Sequence, residues 1–230
     1  MTHVARLSIQ GNPNIGLFVY ATDTFALVGK SASEQDMEII KSVLKVPVYP
    51  IMVAGTGLAG IFLTGNSKYL LMPNICYDQE IEQIESICAK YDVKVKVVNT
   101  KFTALSNNMM LTDTILLANT DMEDKVLADL KKDLGLKIVE RVTIADTDVV
   151  GSAMVFTTKG GLIHPDIAND SIEHLEELLG IKFTLGTVNY GSPYVKSGIV
   201  VNSNGFLIGK TSSGPEVTNA DEALGFVNNE

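Results

Sequence analysis

Polar turns followed by apolar runs recur along the chain at a nearly constant interval. The five turns begin at Thr22, Asn66, Thr112, Thr157 and Asn202, so consecutive starts lie 44, 46, 45 and 45 residues apart. Seven residues before each start lies an apolar side chain: Ile15, Ala59, Leu105, Val150 and Val195. The next position holds Gly16, Gly60, Ser106, Gly151 and Lys196. A register kept five times indicates five copies of one module of about 45 residues.

Each module has the pattern of a strand, a turn, a second strand, a helix and a third strand. In the second module, residues 61–63 and 69–72 flank a polar turn, which predicts a hairpin. Ile81, Ile84 and Cys88 then follow at helical spacing, and residues 94–98 alternate as in a strand.

Capping patterns predict where the long helices begin. A short polar residue followed three positions later by a glutamate is typical of a helix N-terminus. Such pairs are Ser31 with Glu34, Thr120 with Glu123 and Asp170 with Glu173, and the fifth helix is expected over residues 216–224.

The fifth module lacks its closing strand, whereas the first segment of the chain is a strand without a module. The counterparts of the missing strand are residues 48–53, 93–98, 137–144 and 182–188. We therefore expect residues 4–9 to complete the fifth module and lock the ring, because closure removes exposed sheet edges. This predicts an α/β fold, a five-fold pseudosymmetric α/β propeller, with residues 1–230 forming one closed domain.

Composition and charge narrow the class of partner. The chain is 46% hydrophobic and 20% charged, which is ordinary for a globular protein with a substantial core. Its net charge of −9 argues against broad binding to DNA or RNA, where lysine and arginine must neutralise phosphates. The same charge suits docking on a basic protein surface. The first twelve residues lack the apolar core of a signal peptide, so we expect a cytoplasmic protein that does not bind membranes.

The chemistry of a catalytic or metal site is not recognisable in the sequence. The two cysteines, Cys76 and Cys88, form no CxxC pair and lie near no histidine cluster, so neither a metal site nor a disulfide framework is expected. His164 ends a strand before a proline and is interpreted as structural. We expect no cofactor.

Residues 55–60 spell GxGxxG, the dinucleotide fingerprint. That motif works only where a helix N-terminus follows, because the pyrophosphate binds free backbone N–H groups there. The repeat register predicts a strand over residues 61–63 instead, so we interpret these glycines as allowing close backbone approach.

Several stretches together resemble the translation initiation factor 6 family, in the same order from end to end. They include residues 103–107 (TALSN), 158–165 (TKGGLIHP), 186–192 (GTVNYGS) and 211–216 (TSSGPE). Ser106 is a departure, since the family usually has glycine there. The chain stops shortly after the fifth helix, which resembles the archaeal form of the family.

The resemblance implies the pentein fold and a ribosome anti-association factor. By it, we expect a monomer that binds the large ribosomal subunit and blocks joining of the small subunit sterically. Its main contact is expected to be a ribosomal protein beside the sarcin–ricin loop, with rRNA nearby. The alternative is a guanidine-modifying enzyme of the same fold, which would need a cysteine nucleophile with histidine and acidic partners at the axis.

The repeat itself predicts which face binds. The segments just before the hairpins occupy equivalent positions, so symmetry places all five on one side around the axis. These segments cover residues 12–16, 57–60, 103–107, 149–152 and 192–197, and their small residues also suit a crowded axis. The candidate binding residues there are Asn12, Asn14, Gly60, Asn107, Ser152 and Ser197, with Pro215 and Glu216 as a second region.

Overall fold

The structure is a computed structural model that describes residues 3–227, and it contains the five predicted repeats. The strands are β1 (Val4–Leu7), β2 (Val19–Ala21), β3 (Ala26–Gly29), β4 (Val48–Ile51), β5 (Thr64–Gly65), β6 (Tyr69–Pro73), β7 (Lys94–Val98), β8 (Met109–Leu111), β9 (Ile115–Ala118), β10 (Ile138–Arg141), β11 (Met154–Phe156), β12 (Gly161–Ile163), β13 (Phe183–Leu185), β14 (Ile199–Asn202) and β15 (Gly205–Gly209). The helices are α1 (Glu34–Leu44), α2 (Ala59–Phe62), α3 (Asp78–Cys88), α4 (Leu105–Asn108), α5 (Asp124–Leu134), α6 (Asn169–Leu179), α7 (Val195–Gly198) and α8 (Gly214–Ala223). Ile15–Leu17 and Ala89–Tyr91 are single turns of 3-10 helix.

The strands of residues 3–227 form five sheets of three strands, each of which we call a blade. The blades are β2-β3-β4, β5-β6-β7, β8-β9-β10, β11-β12-β13 and β14-β15-β1. In every blade the middle strand pairs antiparallel with the first strand and parallel with the third. In the first four blades the crossover between the two parallel strands is the long helix of the module, as such a connection requires. In the fifth blade α8 follows β15, and the parallel third strand comes from the other end of the described chain. The predicted five-fold pseudosymmetric α/β propeller is confirmed.

Strand β1 completes the fifth blade. It pairs parallel with β15, from Val4 opposite Phe206 to Leu7 opposite Gly209. The predicted closing strand is therefore confirmed for Val4–Leu7, and Ile9 continues into a bridge with Asn12. That residues 1–230 behave as one domain stays a prediction.

Each long helix packs against its own blade and against the preceding one. Helix α1, for example, contacts β4 of the first blade and also β1 and β15 of the fifth. Five hydrophobic clusters result within the described chain. Their largest fully buried side chains include Phe25 and Phe206, and burial of each such side chain stabilises the fold by about 1.5–3 kcal/mol.

The predicted helix starts were wrong in three modules. Helix α1 is capped by Ser33 with Asp36, two residues after the predicted pair. Helix α5 has Glu123 itself at its N-cap, because that carboxylate accepts hydrogen bonds from Thr100 and Lys101 of the preceding loop. Helix α6 is preceded by Ala168 rather than by Asp170. In α5, contacts to the loop after β7 thus decide where the helix begins.

The strand predicted over residues 61–63 is also wrong, because a one-turn helix, α2, precedes β5 there. A short apolar run does not distinguish the two states by periodicity. The last two residues of the GxGxxG motif therefore begin a helix, although one of only four residues. Its glycines do serve close approach: a Cβ on Gly60 would lie 1.9 Å from the carbonyl oxygen of Gly16, and one on Gly57 2.9 Å from the Ser31 hydroxyl.

The strand directions give the ring two different faces. The parallel strands of each blade end on one side, and the chain there enters the next module through a turn and the short segments around the axis. We call this side the axial face; it also holds the N-termini of the long helices. The five turns beginning at Thr22, Asn66, Thr112, Thr157 and Asn202 lie at the other ends of the strands, on what we call the hairpin face. None of the helices in residues 3–227 has the length and apolar character that a membrane span needs.

Candidate functional site

Five short segments surround the pseudosymmetry axis on the axial face. They comprise the 3-10 turn Ile15–Leu17, the helices α2, α4 and α7, and the turn over residues 150–152. Each begins with an apolar residue that is completely buried: Ile15, Ala59, Leu105, Val150 and Val195. The hydrophobic clusters between blades therefore hold every segment in place, which makes the axial face rigid.

Backbone contacts between successive segments explain the small residues of the register. A Cβ on Gly16 would lie 1.9 Å from the carbonyl oxygen of Lys196, and one on Gly151 would lie 1.9 Å from that of Ser106. The same distance separates a Cβ on Gly60 from Gly16. Glycine is needed here because a carbonyl of the adjacent module occupies the space of a side chain. Gly60 is thus a structural residue of the axis as well as part of its lining.

A cavity of about 350 Å³ opens at the centre of this face. The residues that line it come from all five modules, and most of them have polar side chains: Asn14, Gly16, Leu17, Gly60, Asn107, Val149, Ser152, Ser192, Tyr194, Lys196 and Ser197. The structure therefore brings together Asn14, Gly60, Asn107, Ser152 and Ser197 from the predicted set.

Asn107 and Ser152 use their backbones to join modules and present their side chains to the cavity. The carbonyl of Asn107 accepts a hydrogen bond from the Gly151 N–H at 2.9 Å, and that of Ser152 accepts one from the Lys196 N–H at 3.2 Å. Both side chains are half-buried and line the cavity. An amide and a hydroxyl on a fixed backbone can donate or accept hydrogen bonds without a large ordering cost.

Lys196 crosses the axis from the fifth module to the third. Its Nζ donates to the Ser106 hydroxyl at 2.5 Å and lies 3.4 Å from the Ser106 carbonyl oxygen. The side chain lines the cavity and is half-buried. Burial lowers the pKa of the Lys196 amine from 10.5 to about 8. The sequence pattern contained a signal for this residue, since lysine stands where the other modules have glycine or serine.

Asn189 connects the axial cavity to the fifth module and was missed as a functional candidate. Its Nδ2 donates to the Asn14 Oδ1 and to the Pro13 carbonyl, both at 3.2 Å. Its Oδ1 accepts from the Thr211 hydroxyl at 3.0 Å. Asn12 lies outside the cavity lining and supports the same turn, because its Oδ1 accepts from the Asn14 N–H at 2.9 Å.

Glu216 fixes the turn after β13. Its carboxylate accepts hydrogen bonds from the N–H groups of Tyr190 at 3.2 Å and Gly191 at 2.9 Å, and from the Thr187 hydroxyl at 2.9 Å. Burial would raise the pKa of this carboxyl, but hydrogen bonds from Ser213, Gly191 and Thr187 outweigh it and lower the pKa. Glu216 is 9% exposed, so its role is to stabilise this turn from inside the protein.

Two neighbours of Glu216 are exposed on the same face. Pro215 is exposed at the start of α8. Tyr190 is 80% exposed although its backbone is in the left-handed region, with φ of 61°. A rigidly held and exposed tyrosine is typical of residues that anchor a protein interface. The second predicted region is therefore continuous with the axial cavity through Asn189.

The cysteines lie away from the axis, inside the second module. Cys88 is completely buried in the cluster between the first two blades, and Cys76 is half-buried at its edge. Burial raises the pKa of Cys76 to about 11 and that of Cys88 to about 12. Both are thiols at neutral pH, the unreactive state of cysteine. No group of three metal-ligating side chains occurs in the part of the chain that the structure describes.

Comparison with known sequences gives one consistent result. A model of the eIF-6 family matches residues 4–223. The chain is 37% identical over 227 residues to "Translation initiation factor 6" of Pyrococcus horikoshii, covering 98% of this chain and 100% of that protein. It is 34% identical to the protein of the same name from Staphylothermus marinus, covering 93% of this chain and 94% of that one.

Comparison with solved structures supports the fold. A dimethylarginine dimethylaminohydrolase, in an adduct with S-methyl-L-thiocitrulline, aligns with a TM-score of 0.51. The alignment covers 76% of this chain and 67% of that one at 12% sequence identity. At that identity the likeness concerns the pentein-type arrangement of five blades and not the chemistry at its centre.

Proposed function

Because the chain belongs to the eIF-6 family, we propose that it binds the large (50S) ribosomal subunit and sterically prevents association with the small (30S) subunit. Membership of the family supports a role in translation initiation, and a role in large-subunit biogenesis is a further part of the proposal. We place the docking surface on the axial face, because five modules converge there on a rigid backbone and present polar side chains to solvent.

The partner on the subunit is proposed to be a ribosomal protein beside the sarcin–ricin loop, with rRNA nearby. A net charge of −9 favours a basic protein over bare RNA, because phosphates would repel an acidic ring at long range. Opposite charge on the partner would instead raise the association rate.

The docking residues divide into three kinds. Asn107, Ser152 and Ser197 supply hydrogen-bonding groups at the cavity mouth. Tyr190 and Pro215 supply exposed surface beside it, with Tyr190 as the anchor. Asn12, Asn14, Gly60 and Glu216 keep the backbone of these segments in place.

The proposed mechanism requires no chemistry at the axis. The protein acts by occupying space on the subunit, as a monomer in the cytoplasm, without a cofactor and without catalysis. The raised pKa of both cysteine thiols and their distance from the axis in the fold support this over the guanidine-modifying alternative.

Sedimentation tests the function directly. The protein is mixed with purified archaeal 50S subunits, or with 30S subunits as the control, and pelleted through a sucrose cushion. We expect co-sedimentation with 50S alone, and a dose-dependent loss of 70S particles in light scattering. Co-sedimentation with neither subunit would contradict the proposal.

Paired arginine variants test the face. Asn107→Arg combined with Ser152→Arg places two bulky charges at the cavity mouth, and we expect at least about tenfold weaker 50S binding. Thr24→Arg combined with Thr158→Arg adds the same charge at two exposed positions of the hairpin face. This control should bind within about twofold of the wild type. Equal 50S binding by both variants would show that the axial face is not the docking surface.

A further inference from the structure

Lys196 differs from the equivalent residue of every other module. The register holds Gly16, Gly60, Ser106 and Gly151 at that position, so the five-fold repeat places one positive charge among four small neutral residues. The lysine lies in the wall of the axial cavity. This cavity opens on the axial face, which we propose as the surface that docks on the large subunit. The repeat by itself gives no reason for a charge there.

The amine of Lys196 has no carboxylate partner within residues 3–227. Its hydrogen-bond contacts are with the Ser106 hydroxyl and the Ser106 carbonyl oxygen. An ammonium has three donors, so capacity for a further acceptor remains. Removing a charge from water without a counter-ion is unfavourable, and burial accordingly lowers the pKa of this amine.

The remaining lining of the cavity is suited to an oxyanion. Asn107, Ser152 and Ser192 contribute an amide and two hydroxyl groups, and Tyr194 is the other titratable side chain of the wall. A single positive charge surrounded by neutral donors suits a group that carries one negative charge. The volume of about 350 Å³ is ample for the end of one side chain.

We propose that the axial cavity receives one carboxylate side chain, an aspartate or glutamate, from the ribosomal protein on which the axial face docks, and that Lys196 pairs with it. The inference rests on the proposed function. A carboxylate is favoured over an RNA phosphate because a ring of charge −9 repels a polyanion but not a single acidic side chain on a basic protein.

Such a pair would determine the orientation of docking. Attraction between an acidic ring and a basic surface is long-ranged and does not select one orientation. A positive Lys196 on the acidic ring can pair with a carboxylate on the basic partner in only one docked position. In any other position Lys196 lies against positive charges of the partner, which is unfavourable. Lys196 would thus be the residue that determines specificity.

Zero-length crosslinking tests the chemistry. The complex of the protein with purified 50S subunits is treated with a water-soluble carbodiimide, which joins amines to carboxylates and forms no stable product with phosphodiesters. Digestion and mass spectrometry then identify the linked peptides. We expect an amide between Lys196 Nζ and an aspartate or glutamate of a ribosomal protein, lost in Lys196→Met.

Binding measurements accompany the crosslink. Lys196→Met keeps most of the side-chain volume without the charge, and we expect at least about tenfold weaker 50S binding. Lys68→Met is the matched control, because Lys68 is exposed on the hairpin face and its loss changes the net charge equally. It should bind as the wild type does.

The outcomes separate the two proposals. Wild-type binding by Lys196→Met would overturn the inference, since the lysine would then only fill the axis, while the proposed function would stand. Weak binding without any Lys196 crosslink would assign the pair to an rRNA phosphate and also overturn the inference. If the wild-type protein did not bind 50S subunits at all, the proposed function itself would fail.

Discussion

On the hairpin face, side chains of one module bond to the backbone of the next, whereas around the axis the backbones of successive short segments also contact each other directly. The Nδ2 of Asn202 donates to the carbonyls of Thr22 at 3.1 Å and Leu44 at 2.8 Å, and Asn66 donates to Thr112 at 3.1 Å. Around the axis, glycines such as Gly60 lie directly against the carbonyl of the preceding segment. The axial arrangement leaves polar side chains available for a partner.

This difference separates stability from binding. The side chains of Asn66 and Asn202 on the hairpin face are already bonded within the ring, so their loss should lower stability. Asn107 and Ser152 on the axial face point into a cavity, so their replacement should affect docking more than folding.

Removal of residues 1–9 should have the largest effect, because β1 joins the two ends of the ring and supports both faces. The deletion exposes β15 and loses Leu7 and Ile9, which are 3% and 0% exposed. We expect a loss of about 5 kcal/mol or more in the free energy of unfolding. For a chain of this size that corresponds to a fall in Tm of about 10–20 °C. An unchanged Tm in calorimetry would show that the ring does not depend on closure.

Gly60→Ala should break the backbone contact on the axial face. The new Cβ would lie 1.9 Å from the Gly16 carbonyl oxygen and 2.6 Å from that of Val19, so the backbone must shift. We expect a destabilisation of about 3 kcal/mol, measured by urea unfolding.

Gly214→Ala is the matched control for that prediction. Gly214 is also on the axial face, but no atom lies within 4 Å of its Cβ position. Stability should change by less than about 0.5 kcal/mol. Equal effects of the two substitutions would mean that backbone crowding does not explain the glycine at position 60.

Asn202→Ala should destabilise the hairpin face. Asn202 is 7% exposed, and loss of its side-chain amide leaves the Thr22 carbonyl without this donor. We expect a loss of about 2 kcal/mol with unchanged 50S affinity of the folded protein. Ser203→Ala, at the exposed next position, should be close to neutral. Weaker 50S binding by Asn202→Ala at full folding would contradict the separation of the faces.

Glu216→Gln should have the smallest effect, and a pH-dependent one. The folded protein has a lowered pKa at Glu216, so the carboxylate stabilises the fold above the unfolded pKa and loses that effect as pH falls through the folded pKa. At pH 7 we expect the variant to be about 1 kcal/mol less stable. The difference should shrink below pH 4 in urea titrations. A difference that is constant from pH 7 to pH 3 would show that ionisation of Glu216 is not involved.

The repeat was readable in the sequence because equal modules must have equal covalent spacing. The same spacing assigned residues 4–9 to the fifth blade, since a missing third strand and an unpaired first strand complement each other. The helix starts were not readable in three modules. Glu123 shows why: its carboxylate bonds to Thr100 and Lys101, and the sequence pattern cannot distinguish that contact from a local cap.

The candidate site was only partly predictable. Equivalent positions must lie around one axis, and this placed Asn14, Gly60, Asn107, Ser152 and Ser197 on a common face. It did not indicate that Asn12 and Glu216 would bond to the turns beside them. Those roles depend on distances between loops that hydrophobic periodicity does not encode.

Periodicity and covalent order alone determined the five modules, the closing strand and the face on which the short segments gather. Only the tertiary structure decided what those segments do at the axis. Lys196 and Ser106 are 90 residues apart in the chain, and their bond across the ring depends on the radius at which five blades pack. That radius is determined by the sum of side-chain packing between blades, and no single repeat contains it.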